Sequence, residues 1–136
     1  MQLNPYLLFN GQCEAAFKFY EKVLGGKIEG MSTHAGSAAE AQVPAEWRDK
    51  VLHAYIRVGD TVLMASDAPP GHYEQPKGFY VSIRIKEVAE AERIFHALAE
   101  SGTVQMPIAE TFFSPRFGML VDQFGIPWMI NCERAG

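Results

Sequence analysis

Two clusters of side chains in this chain have types and spacing suited to chemistry. His53 and Tyr55 alternate with Leu52, Ala54, Ile56 and Val58. Period-2 alternation in a strand sends successive side chains to opposite faces, so an imidazole and a phenol share the less apolar face with Arg57. A neutral imidazole there can act as a general base or hydrogen-bond a ligand, and it can equally be a polar residue of the sheet wall. Tyr80, Ser82 and Arg84 form the second cluster, alternating with Phe79, Val81, Ile83 and Ile85. Arg84 has the forked guanidinium that grips an anionic group, or it pairs with Glu87 or Glu110 within the protein. Arg116 stands beside Phe117 in an irregular stretch, as an anion anchor or a solvated loop residue. Met129 is one of five pliable methionines beyond the initiator (with Met31, Met64, Met106 and Met119) that suit a pocket lining as well as a core.

Other candidates are weaker. His34 and His72 lie in loops and are expected in solvent, and His96 falls on a polar helix face. No two histidines have ligand spacing, and no Ser-His-Asp or Cys-His signature is present. Cys13 opens a helix, where the dipole is expected to lower its pKa. Phe112, Phe113 and Trp128 wall a pocket or fill core and interface. Trp128 faces the helix if Met129 faces away from it.

The elements that position these residues come as a repeat. Ala16, Phe19, Tyr20 and Val23 make an apolar helical stripe, and Ala91, Ile94, Phe95 and Leu98 repeat it 75 residues later. The first copy reads as strand 5–9, helix 12–24 stopped by Gly25 and Gly26, strand 27–31, a lid-like loop 32–50 with a helical turn near Glu46 and Trp47, strand 51–58 and strand 61–66. The second reads as strand 79–85, helix 87–100 followed by Gly102, strand 103–106, an irregular section 107–115, strand 117–121 and strand 127–132. The turn glycines Gly59 and Gly125 are 66 apart, nine fewer than the helices, so the extra residues belong to the 32–50 loop. Fold class is therefore α+β, with two tandem βαβββ modules: module one 1–67, a Pro- and Gly-rich linker 68–78, and module two 79–133, in one domain over 1–136.

With 136 residues, 48% of them hydrophobic, the chain can bury a sizeable core. The net charge of −4 and the scattered Lys and Arg argue against nucleic acid. No apolar run approaches a membrane span, and no basic segment precedes the short apolar run near the N-terminus. Two cysteines make no disulfide framework, and the expectation is a cytoplasmic protein with free thiols.

Phe19-Tyr20-Glu21 with Leu24-Gly25, Gly59-Asp60 before Leu63-Met64, and Asp122-Gln123-Phe124-Gly125 before Trp128 resemble the vicinal oxygen chelate superfamily of glyoxalases, extradiol dioxygenases and bleomycin and fosfomycin resistance proteins. Asn4-Pro5-Tyr6-Leu7, Glu110-Thr111-Phe112 and the tail Phe117-Gly118 through Gly125-Ile126-Pro127-Trp128-Met129-Ile130-Asn131 are similar to its PhnB-like branch. The resemblance implies a cup-shaped, eight-stranded mixed sheet, frequent dimers, and a ligand cavity. Metal enzymes of the superfamily take ligands from the first and last strands of each module. Matching their motif puts Pro5, Tyr80, Leu63 or Met64, and Met129 at those positions. Such side chains do not make the imidazole and carboxylate set a hard divalent ion needs. The expectation is a homodimer without metal or other cofactor, binding a small, partly apolar molecule through His53, Tyr55, Tyr80, Ser82, Arg84, Arg116 and Met129. The rival is a metal-dependent lyase or dioxygenase with atypical ligands such as His53 with Glu133 or Glu110; a dimeric accessory protein without ligand is a third reading. A methyltransferase role, invoked for some proteins of this branch, lacks a glycine-rich turn opening a helix, since Gly25 and Gly26 close one.

Overall fold

A computed structural model describes residues 1–134. It divides into two compact units, Met1–Glu74 and a second beginning at Gln75. In module one, β1 (Tyr6–Phe9) is followed by α1 (Cys13–Leu24), β2 (Lys27–Thr33), β3 (Val51–Val58) and β4 (Thr61–Asp67). The strands form one sheet in the order β1-β4-β3-β2, with β1 parallel to β4 and the other pairs antiparallel. Module two repeats this with β5 (Val81–Ile85), α2 (Val88–Ala99), β6 (Thr103–Ala109), β7 (Phe117–Val121) and β8 (Pro127–Cys132), in the order β5-β8-β7-β6. The βαβββ repeat read from the helical stripes is thus present in both halves, each with its own four-stranded sheet.

Helix α1 buries Cys13, Ala16, Phe17, Tyr20 and Val23. They meet Leu7, Phe9, Ala54, Ile56, Leu63 and Ala65, all buried. The sequence stripe misplaced one aromatic: Phe19 is half-buried at the stripe's edge, and Phe17 packs edge-on against Phe9 with ring centroids 6.2 Å apart. Gly25, at φ 72°, supplies the left-handed stop of α1. Helix α2 buries the expected Ala91, Ile94, Phe95 and Leu98. Phe95 lies so close to β7 that a Cβ on Gly118 would come within 2.6 Å of its ring. Beyond α2 the left-handed residue is Ser101, at φ 58°. Gly102 is needed for another reason, since a Cβ there would meet the Val121 carbonyl at 2.4 Å.

Three expectations change. Strand β5 begins at Val81, where pairing with Trp128 of β8 starts, and Phe79 is 43% exposed ahead of it. Strand β6 runs on to Ala109 through Pro107, because it is an edge strand whose outer side needs no N–H donor. His34 is buried, not solvated. Its Nδ1 lies 3.1 Å from the Lys50 carbonyl, and the backbone pairs His34 with Lys50 and Ala35 with Arg48 bind the two ends of the long loop together. The loop also holds a 3₁₀ turn at Ala45–Trp47, near the expected one.

Both cysteines are free and buried. Burial pushes the Cys13 thiol from an ordinary 9.0 up to about 12, with Asp67 and Glu14 adding to the rise. Its position at the start of α1 does not lower it, as the sequence reading expected, because desolvation outweighs the dipole. The unfolded thiol ionises near 9 and the folded one near 12. Stability is therefore fully present below pH 9 and declines as pH rises through that interval. Urea midpoints measured from pH 8 to 11 should fall more steeply for the wild type than for Cys13→Ala; parallel slopes would refute the assignment.

Candidate functional site

Each sheet has one face packed on its helix and one turned away. In module one the outward face carries Tyr6 of β1, Met64 of β4 and Tyr55 of β3 in a single row, fixed by the pairings Tyr6–Met64 and Tyr55–Met64. The row ends at Gly30 of β2, whose missing side chain makes room for the Tyr55 ring; a Cβ there would lie 2.3 Å from it. His53 stands next to this row. Its ring stacks on Tyr6 at 5.8 Å and 26°, and it sits 6.0 Å from the Tyr55 ring. Tyr6 Oη and His53 Nδ1 are 3.2 Å apart. A phenol is the better donor and a neutral imidazole nitrogen the better acceptor, so this contact favours the tautomer with the proton on Nε2.

The register of module two builds the corresponding row from Ser82, Met129, Met119 and Met106. Arg84 and Asn131 are the next pair along β5 and β8. Arg84 is partnered by Glu133, Nε to Oε1 3.5 Å, rather than by Glu87 or Glu110 as expected from the sequence. Tyr80 donates to Gln105 Oε1 at 2.8 Å, tying the approach to β5 to the opposite edge strand. Trp128 points to the helix side and is buried, while Met129 faces away.

The structure therefore brings His53 and Tyr55 together in module one, and Ser82, Arg84 and Met129 together in module two. Arg116 belongs to neither set. Its guanidinium is half-buried, with Nε 2.9 Å from Glu92 Oε1 of α2 and Nη1 donating to the Pro115 carbonyl. It anchors the β6–β7 loop to the helix instead of reaching the open face.

Sequence reading passed over Tyr6 and Asn131 as site residues. Tyr6 had a signal, since it alternates with the buried Leu7 and Phe9 and must point outward. The position of Phe113 depends on a loop fold that leaves no periodic trace. Ser114 is buried with its Oγ 2.7 Å from both the Arg116 and Cys132 carbonyls, and its N–H donates to Thr111 Oγ1. This turn leaves Phe113 packed edge-on against Phe117, ring centroids 5.0 Å apart.

The first- and last-strand positions of the two modules do not make a seat for a divalent ion. Of the matched positions, Pro5 lies just ahead of β1, Tyr80 donates to Gln105, Leu63 is buried against the helix, and Met64 and Met129 stand on the outward faces. A proline, a phenol bonded elsewhere and two thioethers are the wrong donors for such a metal. Among the described residues no three His, Cys, Asp or Glu side chains come together as a ligand group.

The repeat, the two parallel-opened sheets and the outward rows define a protein of the glyoxalase type. The sequence model of the Glyoxalase/Bleomycin resistance protein/Dioxygenase superfamily matches residues 2–130, and the chain belongs to this family. It is 34% identical over 139 residues to protein YjdN of Escherichia coli (strain K12), spanning 96% of this chain and 95% of that protein. The crystal structure of protein PA1353 from Pseudomonas aeruginosa matches with a TM-score of 0.90 at 48% identity, over 99% of each chain. A Bacillus cereus structure described as a putative 3-demethylubiquinone-9 3-methyltransferase, PhnB protein, shares the fold, with a TM-score of 0.80 at 22% identity over 97% of this chain and 99% of that one.

Proposed function

We propose that this protein binds a small, partly apolar molecule on the outward sheet faces of its modules, without a metal ion. One observation carries the reading. Met31, Met64, Met106, Met119 and Met129 are all half-buried or exposed, and four of them stand in the register rows away from the helices. A methionine that fills core has no reason to collect there, whereas an adaptable apolar surface next to aromatic rings, an imidazole and a guanidinium suits a ligand. Binding alone, for sequestration or sensing, needs nothing beyond this surface. A metal centre made from His53 with Glu110 or Glu133 draws no support, because His53 is engaged by Tyr6 and Glu133 by Arg84. A methyltransferase reading fares no better, as Gly25 and Gly26 close α1 rather than cradle a cofactor. We further propose pairing of two copies, supported by the exposed apolar side chains Leu3, Leu8 and Phe112, and a cytoplasmic setting, supported by the two free thiols.

The test is a thermal-shift screen of the full chain against metabolites and antibiotics. A ligand at 100 times its Kd stabilises by about 2.7 kcal/mol. At least one compound should raise the melting temperature saturably, and its effect should shrink in either the His53→Ala, Tyr55→Ala double variant or in Arg84→Gln. A screen without hits, or hits indifferent to both variants, would end the proposal. Sedimentation of the same preparation tests the pairing.

A further inference from the structure

We propose that module two carries a subsite for a carboxylate with a hydroxyl or N–H donor on the carbon next to the carboxyl group. The inference rests on the small-molecule reading above and gives it a ligand class. A concavity of about 360 Å³ is lined by Arg84, Phe113, Asn131, Cys132, Glu133 and Arg134. Arg84 and Asn131 are register partners on neighbouring strands, so their side chains rise side by side from one face.

Each group asks for a different part of the ligand. The Arg84 side chain is 75% exposed and its contact with Glu133, Nε to Oε1, is a loose 3.5 Å, so the guanidinium can also take a planar anion. Arg134 is held over the rim by the Thr111 and Phe112 carbonyls, at 3.5 and 3.4 Å, which are neutral acceptors. Among the described lining residues, two guanidinium groups stand against the single Glu133, which favours an anion. Asn131 Oδ1 is buried with no hydrogen-bond partner, an arrangement that is unfavourable until a donor arrives. A simple carboxylate has no such donor, whereas a 2-hydroxy or 2-amido acid places one beside its anionic group. A phosphate dianion fits less well, because its second charge would face Glu133.

Amide NMR titration of the full chain with mandelate, phenylacetate and benzyl alcohol tests this. Mandelate should shift the Arg84 and Asn131–Arg134 signals saturably. Phenylacetate, which lacks the hydroxyl, should bind at least tenfold more weakly, and benzyl alcohol should not saturate. Arg84→Gln should weaken mandelate at least tenfold. Asn131→Leu should erase the preference for mandelate over phenylacetate. Should that variant fail to fold, Asn131→Asp keeps the side-chain shape, and its added charge should abolish mandelate binding. Equal affinity for mandelate and phenylacetate, unchanged binding in Arg84→Gln, or no shift with any probe overturns the subsite. Shifts confined to Tyr6, His53 and Tyr55 also overturn it while leaving the broader small-molecule reading intact, which stands or falls on the thermal-shift screen.

Discussion

Asp122→Ala is expected to lower the unfolding free energy by about 3–5 kcal/mol, a large part of what holds a domain of this size. The carboxylate is 3% exposed at the end of β7. Its Oδ1 accepts from the Phe124 and Ile126 N–H groups at 2.8 and 3.0 Å, and its Oδ2 from Trp128 Nε1 at 2.8 Å. Truncation leaves three donors in a dry site at once, and each unmade bond costs about 1–3 kcal/mol before any relaxation. The turn is also what delivers β8 in register, since Asp122 N–H pairs with the Ile126 carbonyl just before the Val121–Pro127 pair. Asp122→Asn separates hydrogen bonding from charge. Its remaining oxygen can serve the two backbone donors, but its NH₂ then opposes the indole N–H. It should recover only part of the loss and should alter the Trp128 near-ultraviolet signal. Urea unfolding of the three proteins checks this, and a loss below about 1 kcal/mol in Asp122→Ala would show that the network is dispensable.

Those bonds explain which parts of the molecule could be read from the chain. Wherever burial enforces a period, the sequence was transparent. Strands β3, β7 and β8 alternate and were bounded to the residue, and the α2 stripe is the one the packing uses. Errors arose where a local rule met a non-local fact. Pro107 argues for a strand end, yet β6 is an edge, and edge position is a property of the whole sheet. Phe17 and Phe19 have equal apolar character, and Phe17 is the one that packs against Phe9 of the neighbouring strand. His34 looks like a loop histidine until Lys50 is brought beside it. The candidate site divides the same way. His53, Tyr55, Ser82, Arg84 and Met129 were visible because outward strand positions alternate with core ones. Arg116 could not be placed from the chain, because its partner Glu92 lies on the other side of a loop, on α2. The repeat itself misleads on one point: each module has a buried aspartate, but Asp122 follows the third strand of its module and Asp67 ends the fourth. Internal symmetry therefore fixes the chain path, while each half has its own polar fastening.

Asp67→Asn should be nearly as damaging as its counterpart, and for a reason specific to carboxylate geometry. Oδ1 accepts from the Cys13 N–H at the start of α1, and Oδ2 from the Val51 N–H at the start of β3, both at 2.9 Å and both buried. Sequence gives α1 no side-chain cap of its own, since Gln12 makes none. One remote carboxylate thus satisfies an orphan helix donor, places a negative charge at the positive end of the helix, and pins a third element. Asparagine has a single acceptor, so one N–H group loses its bond and faces an NH₂ instead. We expect a loss of about 2–4 kcal/mol, with faster hydrogen exchange at whichever of Cys13 and Val51 the amide turns away from. A second readout moves independently. Asp67 is the second-ranked cause of the raised Cys13 pKa, behind burial, so removing its charge should bring the thiol down from about 12 while leaving it above its ordinary value. Alkylation of Cys13 should accordingly quicken at pH 9 to 10 in the folded variant, measured below the denaturation midpoint. If stability and both exchange rates match the wild type, the cap is not made in solution. If stability falls but the thiol titrates unchanged, Asp67 braces the helix without acting on the thiol.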